Sequence, residues 1–175
     1  MKEIEVKILE VPVRKMEAVL KRCGARKAFA GKIRALYFDF ADGRLARQKS
    51  VFRLRQIGDR CELAFKRWRS KRKAKIMDEF EIPVTDFEKT RQILDCLGMK
   101  VIKSVKKYRV SYRAGRTHFE LDTYAGIPTL LEIESPSLKG IKTWVRKIGY
   151  SLRDVKPWSS FDVLKYYGRS KSALS

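Results

Sequence analysis

The chain opens Glu3-Ile4-Glu5-Val6-Lys7, with charged and apolar residues in strict alternation. Side chains on a strand point to alternate faces, so Glu3, Glu5 and Lys7 share one face and Ile4 and Val6 the other. Two carboxylates two residues apart on one face repel unless a cation lies between them or one takes up a proton. A lysine beside them can be a partner, or can bind an anion that the cation also holds. Alone, the stretch reads as an amphipathic strand with its polar face in water. But the alternation recurs down the chain. Arg53 and Arg55 flank Leu54, Glu62 and Lys66 alternate with Leu63 and Phe65, and Glu79 and Glu81 flank Phe80. Lys107 and Arg109 flank Tyr108, Glu120 and Asp122 flank Leu121, and Glu132 and Glu134 flank Ile133.

A chain of 175 residues, 44% of them hydrophobic, fits one soluble domain with a real core. The expectation is a single domain over 1–169 and a disordered tail over 170–175. No apolar run approaches a membrane span and no signal peptide precedes the first strand, so a cytoplasmic protein without a membrane partner is expected. Cys23, Cys61 and Cys96 lack metal-ligand spacing and read as reduced thiols, and the single His118 excludes a multi-histidine zinc site and reads as structural. The net charge of +21 favours anionic partners such as nucleotides, polyphosphate or nucleic acid. Yet eight of only 20 acids occupy the paired strand positions: Glu3, Glu5, Glu79, Glu81, Glu120, Asp122, Glu132 and Glu134. That concentration suggests a cation site inside a positively charged surround.

Between the strands the periodicity predicts helices over 13–23, from about 85 to 97, from 137 to 148 and over 160–167. Thr85 and Glu88 have capping-box spacing, and the helix they open is expected to bury Phe87, Ile93, Leu94 and Leu97. Strands are expected at 33–40, 51–57, 60–68, 78–84, 101–112, 117–124 and 129–134, with 44–47 starting a return strand and the basic stretch 67–75 forming a solvated loop. The endings Cys23-Gly24, Leu97-Gly98 and Ile148-Gly149 form a weak internal echo.

About eight antiparallel strands, each half charged and half apolar, have two solutions. The apolar faces can pack together with the charges in water. Or the sheet can close into a barrel whose polar faces line a channel, with helices covering its apolar outside. Acid pairs and base pairs on different strands favour the second, an α+β fold with an eight-stranded antiparallel barrel.

In these residues the chain resembles the CYTH family of triphosphate tunnel metalloenzymes, which includes class IV adenylate cyclases, thiamine triphosphatases and inorganic triphosphatases. The ExExK opening at Glu3, Glu5 and Lys7 is the family signature. The match continues through Tyr37 and Asp39, Arg53 and Arg55, Lys66, Glu79 and Glu81, Lys107 and Arg109, Asp122, and Glu132 and Glu134. The chain departs from many relatives at Phe40 and Ala41, where they carry small polar residues, and in the basic stretch 44–50.

The resemblance implies a tunnel in which acids hold Mg²⁺ or Mn²⁺ and bases grip a triphosphate. Glu3, Glu5, Glu132 and Glu134 would hold a first metal and Asp122 a second, with Glu79, Glu81, Glu120, Tyr37 and Asp39 in support. Lys7, Arg53, Arg55, Lys66, Lys107 and Arg109 would neutralise phosphate oxygens, and Lys7, Arg53, Arg55, Lys66 and Asp122 would act in catalysis. The implied activity is hydrolysis of tripolyphosphate or a small organic triphosphate. The alternatives are a cyclase making cyclic AMP from ATP, and a module that binds polyphosphate or RNA without turnover. Phe29, Tyr37 and Trp158 are candidates to stack on a base. The expected assembly is a monomer or homodimer, and a nucleic-acid partner on the basic surface ranks behind the triphosphate.

Overall fold

The structure is a computed structural model that describes residues 2–70 and 74–168, with side chains described at 4–69 and 74–168. The expected tail at 170–175 and the centre of the basic stretch, 71–73, lie outside the described residues.

The elements run β1 (Lys2–Ile8), α1 (Val13–Arg22), β2 (Arg26–Phe40), α2 (Arg44–Arg47), β3 (Ser50–Ile57), β4 (Arg60–Ser70), β5 (Lys75–Val84) and α3 (Phe87–Cys96). They continue β6 (Met99–Ala114), β7 (Thr117–Thr123), β8 (Leu130–Glu134), α4 (Leu138–Lys147), β9 (Val155–Lys156) and α5 (Ser160–Tyr166). The strands lie in the order β5-β4-β3-β2-β6-β7-β8-β1, and β5 pairs with β1 to close eight antiparallel strands into a barrel. The two-residue β9 pairs with Lys7 and Ile8 of β1, beyond the stretch of β1 taken by β5. Closure leaves no long unpaired sheet edge.

The alternation in β1 decides what faces in and what faces out. Ile4, Val6 and Ile8 are buried against Met16 and Leu20 of α1 and Ile141 and Val145 of α4. Each such side chain, fully buried, contributes about 1.5–3 kcal/mol. Phe87 and Leu94 of α3 cover Leu36, Phe38, Leu54 and Met99, and Val163 and Leu164 of α5 pack on Val105, Tyr124 and Leu130. With its apolar faces under helices, the barrel turns its charged faces inward.

Several local expectations are corrected. Residues 44–47 form one helical turn, not a return strand. The Asp39 carboxylate accepts hydrogen bonds from the backbone N–H groups of Leu45 and Ala46, both at 3.0 Å, and so winds the chain. Asp86, not Thr85, caps α3, its carboxylate accepting from the Lys89 N–H at 2.9 Å. Ile93 and Leu97 are 60% and 65% exposed, because α3 meets the sheet along the single stripe of Phe87 and Leu94. The basic stretch is not all loop. β4 runs to Ser70 and β5 starts at Lys75, and Arg67 and Arg69 pair with Asp78 across the ladder, Arg69 at 2.6 Å. β2 starts at Arg26, well before residue 33, because β6 pairs with it from Arg113 to Met99.

Candidate functional site

The strand register turns the sequence alternation into layers of charge. Lys7 faces Glu132 on β8, Glu132 faces Glu120 on β7, and Glu120 faces Ser111 on β6. Two residues along, Glu5 faces Glu134, which faces His118. On the opposite wall Arg55 faces Glu62, and Lys66 faces Glu79. The closing seam sets Lys75 opposite Glu5.

Lys7 is fully buried, with its ammonium 2.7 Å from Glu5 and 2.5 Å from Glu132. Burial alone would depress its pKa, but Glu132 and Glu5 outweigh burial and hold it above the ordinary lysine value. Burial would likewise raise Glu132, yet Lys7, Arg109 and Lys107 keep it well below the usual carboxylate range. Asp122, also fully buried, receives two hydrogen bonds from Arg109, each 2.6 Å, and one from Lys107 at 2.6 Å. The paired Arg109 contact is the strong, planar kind, and it holds Asp122 ionised against its burial. Lys107 shares that carboxylate with the guanidinium. Burial and the Arg109 charge push Lys107 down to about 8.

Arg53 and Arg55 converge on Glu62. Arg53 reaches it at 3.4 Å and Arg55 donates to it directly. Both lie within 4 Å of Glu81, at 3.8 and 3.6 Å. Burial, and then the Arg53 charge, depress Arg55. Burial and the Glu62 charge raise Glu81 to about 7. Lys66 binds Glu79 at 2.9 Å.

A cavity of about 950 Å³ runs inside the barrel. Glu5, Tyr37, Arg53, Arg55, Lys66, Glu79, Glu81, Lys107, Arg109, Glu120, Glu132 and Glu134 all line it. Lys7 and Asp122 are buried in the same network of ion pairs. The Glu3 backbone pairs with Met77 in the seam, and its side chain lies outside those described. Asp39 borders the cavity, but its carboxylate is taken up by the N–H groups of Phe40, Leu45 and Ala46. Of the aromatics considered for stacking, Tyr37 lines the cavity and meets Phe161 edge-on at 4.7 Å. Phe29 lies against Gly31, and Trp158 packs on Tyr166.

Three interior residues fell outside the sequence-based site. His118 lines the cavity opposite Glu134, where it was expected to be structural. Glu62 holds both arginines, and Lys75 reaches Glu5 at 2.9 Å. Their signal was the same alternation: Glu62 shares a register with Lys66, and Lys75 with Glu79 and Glu81.

Among the described residues, the interior network sets seven bases (Lys7, Arg53, Arg55, Lys66, Lys75, Lys107, Arg109) against eight acids (Glu5, Glu62, Glu79, Glu81, Glu120, Asp122, Glu132, Glu134). Signs are mixed at close range, as an anion carrying its own metal requires. Among the described residues no three acidic or His and Cys side chains form a ready metal cage. The carboxylate oxygens of Glu5, Glu132 and Glu134 nonetheless suit a hard cation. Mg²⁺ commonly takes only one or two carboxylates and completes its shell with water and substrate phosphate.

Residues 1–142 match the family model for the CYTH domain, and the chain belongs to the CYTH family. A candidate adenylate cyclase of Methanocaldococcus jannaschii is 27% identical over 135 residues, 75% of each chain. Two solved structures share the fold. The PH1012 protein of Pyrococcus horikoshii aligns with a TM-score of 0.78 at 24% identity, covering 92% of this chain and 98% of that one. A candidate adenylyl cyclase of Hippeastrum, described as having a dominant triphosphatase activity, aligns with a TM-score of 0.66 at 15% identity, covering 94% and 95%.

Proposed function

We propose that the protein is a divalent-metal-dependent triphosphatase that binds its substrate inside the barrel. One observation carries the reading: seven bases and eight acids interleave in one network of ion pairs in and around the barrel cavity. A triphosphate carries about four negative charges near neutral pH, and its metal needs oxygen ligands among the bases that hold the phosphates. A pure polyanion-binding module gains nothing from buried acids, which repel a bare polyanion.

Glu5, Glu132 and Glu134, with Glu3 two residues before Glu5, would hold Mg²⁺ or Mn²⁺. Asp122, buried with both oxygens taken by Arg109 and Lys107, fits a positioning role for those bases better than a second metal site. The metal, when bound, neutralises and orients the phosphate chain. Arg53 and Arg55 grip the phosphates with planar, bidentate hydrogen bonds, while Lys66 and Lys107 add point charges. These bases stabilise negative charge as it moves onto the leaving group. A water oxygen attacks the terminal phosphorus, the bridging P–O bond breaks, and orthophosphate and the shortened chain leave. Lys7 keeps Glu5 and Glu132 aligned from beneath.

The cavity has more room than a bare phosphate chain needs, and Tyr37 and Phe161 line it. This favours keeping organic triphosphates, and the cyclase reaction on ATP, as the second reading. A cyclase must also fix the ribose so that its 3′-hydroxyl lines up with the α-phosphorus. The charged residues all account for phosphate and metal, so hydrolysis remains the better reading, with tripolyphosphate the simplest substrate. The test incubates the protein with tripolyphosphate, ATP and thiamine triphosphate, with Mg²⁺ or Mn²⁺ or excess EDTA, and resolves the products. Pyrophosphate and orthophosphate from tripolyphosphate, with higher kcat/KM than for ATP and no turnover in EDTA, are expected. Cyclic AMP from ATP with tripolyphosphate left intact selects the cyclase, and equal rates in EDTA remove the metal.

A further inference from the structure

The interior network holds one more acid than base, so the chain's whole excess of positive charge lies outside it. One concentration sits where two covering helices end. α1 ends in Lys21 and Arg22, and α4 in Arg146 and Lys147. The two ends touch: Cys23 Sγ donates to the Lys147 carbonyl at 3.6 Å, and Lys147 Nζ donates to the Cys23 carbonyl at 3.1 Å. The helix dipole favours bases at a helix C-terminus, and that accounts for these four.

It does not account for the exposed cations that follow. Arg26 and Lys27 open β2, and Arg26 faces Arg113 directly across the ladder. Like charges directly opposite on a sheet are destabilising. Among the described residues, Lys27 alone of the three has an acid within ion-pair reach, Glu17 at 3.9 Å. Between them lies a cleft of about 390 Å³, bordered by Gly24, Ala28, Ala114 and Gly115. The β2–β6 ladder skips Ala28, and these small residues let a tetrahedral anion approach the backbone.

We propose that this face, from the joined ends of α1 and α4 to Arg113, is a sequence-independent binding surface for the phosphate backbone of a nucleic acid. It presents a run of cations and a cleft that accepts one phosphate. It has no exposed aromatic platform of the kind that stacks bases. None of the large exposed apolar side chains lies on α1, α4 or the segments 24–28 and 113–116, so the face has nothing to insert into a lipid surface. Binding through backbone phosphates releases counterions, with a salt slope of about 0.9 per phosphate neutralised.

The test measures fluorescence anisotropy of labelled, random-sequence DNA and RNA duplexes with 5′-hydroxyl ends, titrated with the full chain at several salt concentrations. Binding by duplexes of unrelated sequence is expected, with a steep salt slope. The variant Arg26→Gln/Lys27→Gln/Arg113→Gln should lower that slope by about 2–3 and weaken binding at least about tenfold near physiological salt. The kcat for triphosphate at saturating substrate should be unchanged, which separates this surface from the tunnel. Duplex binding that is absent at low salt, or that survives the triple substitution intact, overturns the proposal. Binding to anionic phospholipid vesicles with no binding to duplexes overturns it in favour of a membrane surface.

Discussion

Glu62 pairs with both Arg53 and Arg55, the two arginines that the proposed function assigns to the phosphates. An incoming phosphate must displace this carboxylate, so Glu62→Gln should lower KM for a triphosphate severalfold with little loss of kcat. A large fall in kcat would instead make Glu62 part of the chemistry. Glu81, two-fifths exposed beside the same arginines, titrates at about 7. Its folded pKa lies above the ordinary carboxylate value, so the folded state binds the extra proton between about 4.5 and 7. Its contribution to stability is therefore present at low pH and is lost as pH rises through 7. The same proton removes a competitor for Arg53 and Arg55, so KM should rise as pH passes upward through 7, and Glu81→Gln should flatten that rise. A pH–KM profile unchanged in the variant would remove Glu81 from the grip. Asp122 depends on Arg109 more than on any other group, so Arg109→Ala should cost about 3–5 kcal/mol in urea unfolding by leaving a buried carboxylate poorly paired. Less than about 1 kcal/mol would mean that Lys107 suffices. The paired acids and bases were legible because each pair sits two residues apart on its own strand. Glu62 carries the same alternation but stands without a like partner two residues away, and Lys75 ends the basic stretch 67–75 that reads as a loop. His118 was passed over as a lone histidine, although it lies two residues before Glu120 in the same alternation and faces Glu134 across the ladder.

At the scale of elements, the strands were readable wherever polar and apolar residues alternate, because one face packs under helices and the other lines the cavity. The reading faltered where local chemistry outweighs pattern. Residues 44–47 look like the return arm of a hairpin, yet the buried Asp39 carboxylate gathers three backbone N–H groups and forms α2. Asp39→Ala should orphan these donors and destabilise the fold by about 1–3 kcal/mol. The start of α3 was misplaced by one residue, since Thr85 and Asp86 are both cap formers and sequence spacing cannot rank them. Asp86→Ala should cost about 1 kcal/mol in chemical denaturation, and the exposed Thr85→Ala less than about half of that. Equal costs would mean that the Asp86 bond to Lys89 does not carry the cap. The first turn of β2 was missed for a different reason. Residues 26–32 show no apolar alternation, and their strand character comes from pairing with β6, a long-range contact that leaves no local mark.

At the scale of the whole molecule, closure of the sheet separates a mixed, nearly balanced set of interior charges from a basic exterior. The interior is close to neutral while the exterior carries the excess of positive charge, and this split sets how salt should act on turnover. On the proposed function, a triphosphate approaches through the outer field, which a Debye length of about 8 Å at physiological ionic strength screens effectively. Once inside, it meets ion pairs such as Lys7–Glu132 and Arg109–Asp122, whose side chains are at most 10% exposed and which mobile ions reach poorly. Raising salt from low to physiological levels should therefore lower kcat/KM for a triphosphate by about tenfold through slower capture, while kcat changes by less than about twofold. Replacing Arg67 and Arg69 by Gln, at the outer ends of their pairs with Asp78, should reproduce part of the kcat/KM loss at low salt and none at high salt. The measurement is a steady-state series in KCl with wild type and the double variant. If kcat falls in parallel with kcat/KM, salt is reaching the interior ion pairs, and the barrel cannot be shielding the reaction as its closure implies.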